Sequence, residues 1–273
     1  MKIIPGNRLR TIVLILFASL IIIPDPLAAQ ADKRQFLVIE YLKVKPEKRS
    51  NFLKLQKDVW KKVEQEKLKQ GKISGWELYE VLYPAGSIAE YNYVMYHRVV
   101  GWNAIEGISE GNDDIFKKVL SKEQLALMER SMDVEEMTKK EIWVVEDIIT
   151  RAAYVPPSKY HTANFMNVVD GKWDDYMVME KTLVKPIHEE HARTGGRAGW
   201  TLLALREPDG SARAYQAATF DFFDRWADIG ATDLSDFYSQ IHPGKSPEYI
   251  TNQITGTRSL IRQEIRKLID YVQ

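Results

Sequence analysis

The densest cluster of titratable side chains in this 273-residue chain is His188-Glu189-Glu190-His191. On a helix, residues three apart share a face, so these two imidazoles could converge on one ligand or metal ion. Zincin-type peptidases instead space their histidines four apart with a glutamate beside the first. The spacing here therefore predicts no metal. The competing reading is a helix end at the surface, where histidines and acids form weak local pairs. Pro186, just upstream, predicts that the helix restarts or kinks at this point.

A second set of polar residues lies inside stretches that otherwise read as strands: Glu40, His97, His161, Asn164 and Asp221. A polar side chain in mid-strand needs either a partner or a wet cavity. One reading makes these residues the walls of a polar pocket, and the other places them in solvent at strand ends. Trp76 and Trp200 complete the candidate ligand-binding set of Glu40, Trp76, His97, His161, Asn164, His188, His191 and Trp200. Both tryptophans recur at matched positions, as do Trp102 and Trp226, which predicts core anchors or interface packing. Tyr79, Tyr83, Tyr91, Tyr93 and Tyr96 offer aromatic surface on which a flat ligand could stack, although half-buried strands favour Tyr in any case.

Several chemistries are excluded. The chain has no cysteine, so thiolate catalysis, Cys-based zinc sites and disulfides are impossible. Phosphate-binding glycine loops, nucleophile elbows and EF-hand loops are also missing. Lys and Arg total 38 and so do Asp and Glu, which removes the electrostatic case for nucleic acid as a partner.

The elements that position these residues come in two sets. Gly71-Lys72-Ile73-Ser74-Gly75-Trp76-Glu77-Leu78 resembles Gly195-Gly196-Arg197-Ala198-Gly199-Trp200-Thr201-Leu202, an offset of 124 residues. The same offset pairs Pro84-Ala85-Gly86-Ser87 with Pro208-Asp209-Gly210-Ser211, Tyr91 with Tyr215 and Trp102 with Trp226. Near the two C-terminal ends, Glu141-Ile142 matches Glu264-Ile265 at an offset of 123. One register held this long predicts a duplication. Phe36–Val44 and Tyr160–Val168 read as strands. Phe52, Leu55, Val59 and Val63 recur at helical spacing, as do Tyr176, Met179, Leu183 and Ile187. Each helix stops at glycine, each following strand ends in a Pro-x-Gly-Ser turn, and a return strand follows. An irregular helical region and a last strand, Lys140–Ile149 or Arg262–Val272, close each copy. The order is β-α-β-β-α-β, the ferredoxin-like unit.

A sheet with helices on one face leaves its other face bare, and two copies solve this by packing bare face to bare face. The expected fold class is α+β, with two tandem ferredoxin-like modules packing as a pseudo-dimeric α/β barrel within one chain. The expected modules are residues 32–152 and 153–273, joined near Pro156-Pro157. Residues 1–31 read as a signal peptide, with Lys2, Arg8 and Arg10 ahead of the short apolar run Thr11–Ile23 and the small-residue site Ala29-Gln30-Ala31. The expected location is therefore periplasmic or secreted, with no membrane span after cleavage.

On this strand–helix order, and on the stretch from Gly-Trp through the hairpin to Trp102 or Trp226, the chain resembles the dimeric α/β-barrel superfamily. Antibiotic- and quinol-type monooxygenases, haem-degrading monooxygenases and isomerases belong to it. The resemblance implies a pocket between each sheet and its helices. Haem-degrading members resemble one another in an Asn on the first strand and a Trp and His around the second helix. Asn164, Trp226 and His242 match that pattern, whereas the first copy has Glu40 in place of the Asn and no such His. No cofactor is therefore expected. The leading expectation is an exported protein that binds a small organic molecule. The alternatives are a cofactor-independent monooxygenase or isomerase using His161, Asn164, His188 or His191, and a non-catalytic interaction protein.

Overall fold

In the first strand, β1 (Gln35–Lys43), alternate side chains enter two different apolar clusters. Phe36, Val38 and Leu42 pack with Phe52, Leu55, Val59 and Val63 of the following helical segment. Leu37, Ile39 and Tyr41 point the other way, into a cluster that draws on both ends of the chain. A period-2 element with both faces apolar must be covered on both sides. The computed structural model describes residues 32–86, 89–131, 133–149, 157–211, 213–230 and 235–273. The expected signal peptide, residues 1–31, and residues 150–156 of the expected connector lie outside the described residues.

The fold is mixed α+β. After β1 come α1 (Arg49–Leu55), a π-helical turn (Gln56–Trp60) and α2 (Lys61–Lys69), then β2 (Gly75–Tyr83) and β3 (Tyr93–Val100). Short helices α3 (Ala104–Gly107), α4 (Asn112–Val119) and α5 (Lys122–Arg130) lead to β4 (Glu136–Ile149). The second half repeats the order: β5 (Tyr160–Val168), α6 (Trp173–Met179), a π-helical turn (Glu180–Val184), α7 (Lys185–Arg193), β6 (Gly199–Glu207) and β7 (Ala217–Phe223). It ends with α8 (Trp226–Gly230), α9 (Ser235–Ile241), α10 (Pro247–Thr257) and β8 (Arg258–Val272). Pro186 is the second residue of α7, directly after the π turn, where its missing N–H costs little. The closing strands begin earlier than the apolar pattern predicts, because Glu136–Lys139 and Arg258–Ile261 are polar or exposed positions at the barrel rim.

Eight described strands close into a barrel in the order β1-β3-β2-β8-β5-β7-β6-β4, every pair antiparallel. Closure comes from the long last strands. Each pairs with its own half's first strand and with the other half's second: β4 with β1 and β6, β8 with β5 and β2. No described strand is left with an open edge. Residues 32–273 form one compact unit. No helix among the described residues is long and apolar enough to cross a membrane.

Side chains fill most of the barrel interior, leaving a cavity of about 50 Å³ lined by Leu37, Tyr96, Leu203 and Phe220 among others. Aromatic and aliphatic side chains surround two buried carboxylates, Glu141 on β4 and Glu264 on β8. Glu141 accepts hydrogen bonds from Tyr41 (2.6 Å), Tyr215 (2.6 Å) and the Trp143 indole (3.0 Å). Glu264 accepts from Tyr91 (2.6 Å) and from Arg266 (2.6 and 2.8 Å). The Tyr215–Glu141 and Tyr91–Glu264 bonds both cross from one half to the other. Arg266 has no solvent exposure; it also donates to the Tyr96 hydroxyl, which lies 3.1 Å from His161 Nε2. Burial raises the Glu264 carboxyl, but Arg266, Tyr91 and Arg262 outweigh it and hold the group below the ordinary glutamate range. Removing one partner of such a pair strands the other charge. Glu264→Ala is expected to cost about 3–5 kcal/mol in a denaturant titration. The double change Glu264→Gln with Arg266→Met is expected to cost less.

Candidate functional site

The helix-facing side of the second half carries a polar layer. β5 contributes Thr162 and Asn164, β7 contributes Thr219 and Asp221, and β6 contributes Trp200. Helix α7 places His188 and His191 over them, both on its buried side because they stand three apart. Arg197, in the turn before β6, is the hub. Its Nη1 lies 2.5 Å from both Asp221 Oδ1 and His188 Nδ1. Since the guanidinium can only donate, His188 Nδ1 is the acceptor and that imidazole is neutral. Asp221 Oδ2 accepts in turn from Thr162 Oγ1 (3.1 Å) and Asn164 Nδ2 (2.9 Å). The His188 ring stacks on Trp200, with centroids 5.3 Å apart.

Three buried polar atoms of this layer have no partner among the described residues: Arg197 Nε, His191 Nδ1 and Trp200 Nε1. Arg197 also lines a cavity of about 290 Å³, together with Ala192, Gly195, Phe223, Asp224 and Asp228. Gly196 lets the His191 ring lie close to the turn, since a Cβ there would lie 1.9 Å from His191 Nε2 and the ring would have to move. Burial, reinforced by the Arg197 charge, holds His188 far below and His191 below the ordinary histidine range. Both are neutral bases at neutral pH.

The expected reading of His188-Glu189-Glu190-His191 as a surface helix end is corrected. Both histidines are buried, because the α7 face that carries them is the face that covers the sheet. Solvent exposure at strand ends is likewise corrected for His97, His161 and Asp221, which are buried; Glu40 is half-buried. The structure brings His188, His191, Trp200 and Asn164 into the layer around Arg197 and Asp221. His161 lies on the opposite face of the sheet, inside the barrel, where burial and then the Arg266 charge keep it neutral. His97 and Trp76 belong to the first half. His97 Nε2 lies 3.3 Å from Glu64, and Lys67 donates to the same carboxylate at 2.8 Å. Glu40 pairs with Lys140 at 2.8 Å. Trp102 and Trp226 are not core anchors but lie 39% and 46% exposed, Trp226 against Tyr83 and Tyr160. His242 bonds the Leu183 carbonyl at 2.8 Å.

Sequence reasoning did not single out Arg197, Glu64 or Lys67 as site residues. The signal available was the repeat itself: Arg197 stands where the first copy has Ile73, an apolar-to-charged exchange inside an otherwise matched stretch.

No protein-family model matches the chain, and neither does any curated protein. Solved structures do match, at identities that speak to the fold alone. A monooxygenase-like protein from Fusobacterium nucleatum superposes with a TM-score of 0.54 at 11% identity, covering 87% of this chain and 94% of its own. An anthrone oxidase-like protein gives 0.51 at 11% identity, over 88% and 93%. A heme-binding protein from Thermus thermophilus gives 0.49 at 11%, over 88% and 95%, and chlorite dismutases also match. These neighbours overturn the expectation that no cofactor is involved, because structures of this shape include a heme-binding protein. His188 Nδ1 is engaged by Arg197, His191 Nδ1 is buried and unpaired, and neither histidine is among the residues that line the 290 Å³ cavity.

His161, His188 and His191 all titrate below their unfolded value of about 6.5. As pH falls through that value, the unfolded chain takes up protons that the folded chain refuses, so stability falls. The denaturation midpoint is expected to drop between pH 7.5 and pH 5.5, and the slope to flatten in His161→Phe.

Proposed function

We propose that the second half binds a small organic molecule bearing hydrogen-bond-accepting oxygens, held in the cavity where the end of α7, the turn carrying Arg197 and the end of β7 meet. The observation that carries this reading is Arg197, a buried guanidinium that lines the cavity with its Nε–H unpaired. The unpaired Trp200 Nε1–H lies in the same layer. Two buried N–H donors without acceptors are costly, and a ligand oxygen satisfies them. Asp221 already balances the Arg197 charge, so a neutral carbonyl or phenol serves as well as an anion. Such pockets, concave with a few placed polar groups, are the usual form of a small-molecule site.

A second reading, an oxygenase, is favoured by two neutral imidazoles in the layer around Arg197 and by fold likeness to the monooxygenase-like and anthrone oxidase-like proteins. His188 or His191 would take the proton of an easily oxidised phenol or anthrone. We further infer that residues 32–152 and 153–273 are tandem ferredoxin-like modules forming a pseudo-dimeric barrel, and that residues 1–31 direct export. The repeated register and the leader-like composition of residues 1–31 support these two readings.

Calorimetry with anthrone and with a substituted benzoquinol is expected to give saturable binding that weakens about tenfold or more in Arg197→Met, the loss of one charge-assisted hydrogen bond. His97→Gln, in the other half, is expected to leave binding unchanged. Binding that is indifferent to Arg197→Met overturns the site. Oxygen consumption on adding either compound distinguishes the oxygenase from a binding protein. A hemin titration producing a Soret band that is lost in His191→Ala identifies a tetrapyrrole as the ligand.

A further inference from the structure

The two π-helical turns begin at equivalent positions, Gln56 in the first half and Glu180 in the second, and both side chains are essentially without exposure. Inserted turns of this kind frequently mark functional positions. Each side chain bonds the residue at or beside the start of its half's closing strand. In the second half this is Arg258, whose Nε lies 2.9 Å from Glu180 Oε1, so acid and cation answer each other. In the first half the matching partner is Glu135, which accepts from Gln56 Nε2 at 3.2 Å. The cation of the second half has no counterpart there. Lys140, from β4, is engaged with Glu40 of β1, and no cation among the described residues pairs with Glu135. Gln56 Oε1, an acceptor on the same amide, is buried and unpaired.

We propose that this place in the first half binds an organic cation with N–H donors, a guanidinium or primary ammonium, between the Glu135 carboxylate and Gln56 Oε1. The bound cation does for Glu135 what Arg258 does for Glu180. Glu135 is half-buried with Glu40 nearby, and a carboxylate so placed is stabilised by a proton or a positive partner. Burial, with Glu40 nearby and Gln56 opposing, pushes Glu135 up to about 7, so the empty site holds its proton part of the time at neutral pH. Binding a cation expels that proton. The requirement for N–H groups follows from Gln56, whose free oxygen can only accept.

The test is calorimetry of the full chain at pH 7 with millimolar methylguanidinium, and separately with tetramethylammonium, in two buffers of different ionisation heat. Methylguanidinium is expected to bind saturably with release of a fraction of a proton, and about tenfold more weakly to Glu135→Gln. Tetramethylammonium, which has the charge but no N–H, is expected not to bind. Absence of saturable binding, equal binding of the two ions, or undiminished binding to Glu135→Gln overturns the proposal. Should Glu135→Gln fail to fold, the comparison of the two ions on the unaltered chain decides. The site shares no residue with the Arg197 cavity, so neither outcome bears on the other.

Discussion

The guanidinium of Arg266 sits in the middle of the barrel with no solvent to stabilise it, and the arrangement of the interior follows from that charge. Glu264 must lie beside it, and Tyr96 must turn its hydroxyl lone pairs toward it. The His161 imidazole, next in line, is then kept uncharged by burial and by the same positive field. Glu264 is held in turn by Tyr91 from the other half, as Glu141 is by Tyr215. An interior knitted in this way leaves only a cavity of about 50 Å³, lined by Leu37, Tyr96, Leu203 and Phe220 among others.

The two layers between sheet and helices share positions but not chemistry. Glu64 on α2 faces His97 on β3; at the matching places, His188 on α7 and Asp221 on β7 stand with acid and imidazole exchanged. Lys67 answers the acid in one half and Arg197 answers it in the other. Each half satisfies the requirement that a buried charge be paired, and each does so from a different set of elements. Trp76 and Trp200 leave unpaired indole N–H groups at matched positions, whereas the unpaired Arg197 Nε–H has no counterpart in the first half.

Much of the frame was legible in the residues. Period-2 stretches such as Phe36–Val44, the helical spacing of Phe52, Leu55, Val59 and Val63, and the glycine and proline punctuation report local geometry directly. The bare-face argument then led to a closed sheet. The site was legible only in part. His188, His191 and Trp200 stood out by type, but their burial did not, because a polar residue becomes buriable through a partner far along the chain. Arg197 needs Asp221, Glu64 needs His97, and Glu141 needs Tyr215; none of these pairings leaves a periodic trace. Trp102 and Trp226 failed in the opposite sense, since repetition of an aromatic residue says that its place is used and not which side of it faces water.

A barrel assembled from two copies of a shorter chain could not look like this one. Every replacement in such an assembly would appear on both sides of the axis, and a buried arginine useful in one cleft would also be forced upon the other. Here a single polypeptide supplies both sides, so Arg197 exists without a twin and Ile73 remains apolar opposite it. Continuity of the backbone thereby lifts a symmetry constraint. One flank can be altered for recognition while its counterpart continues to carry the scaffold.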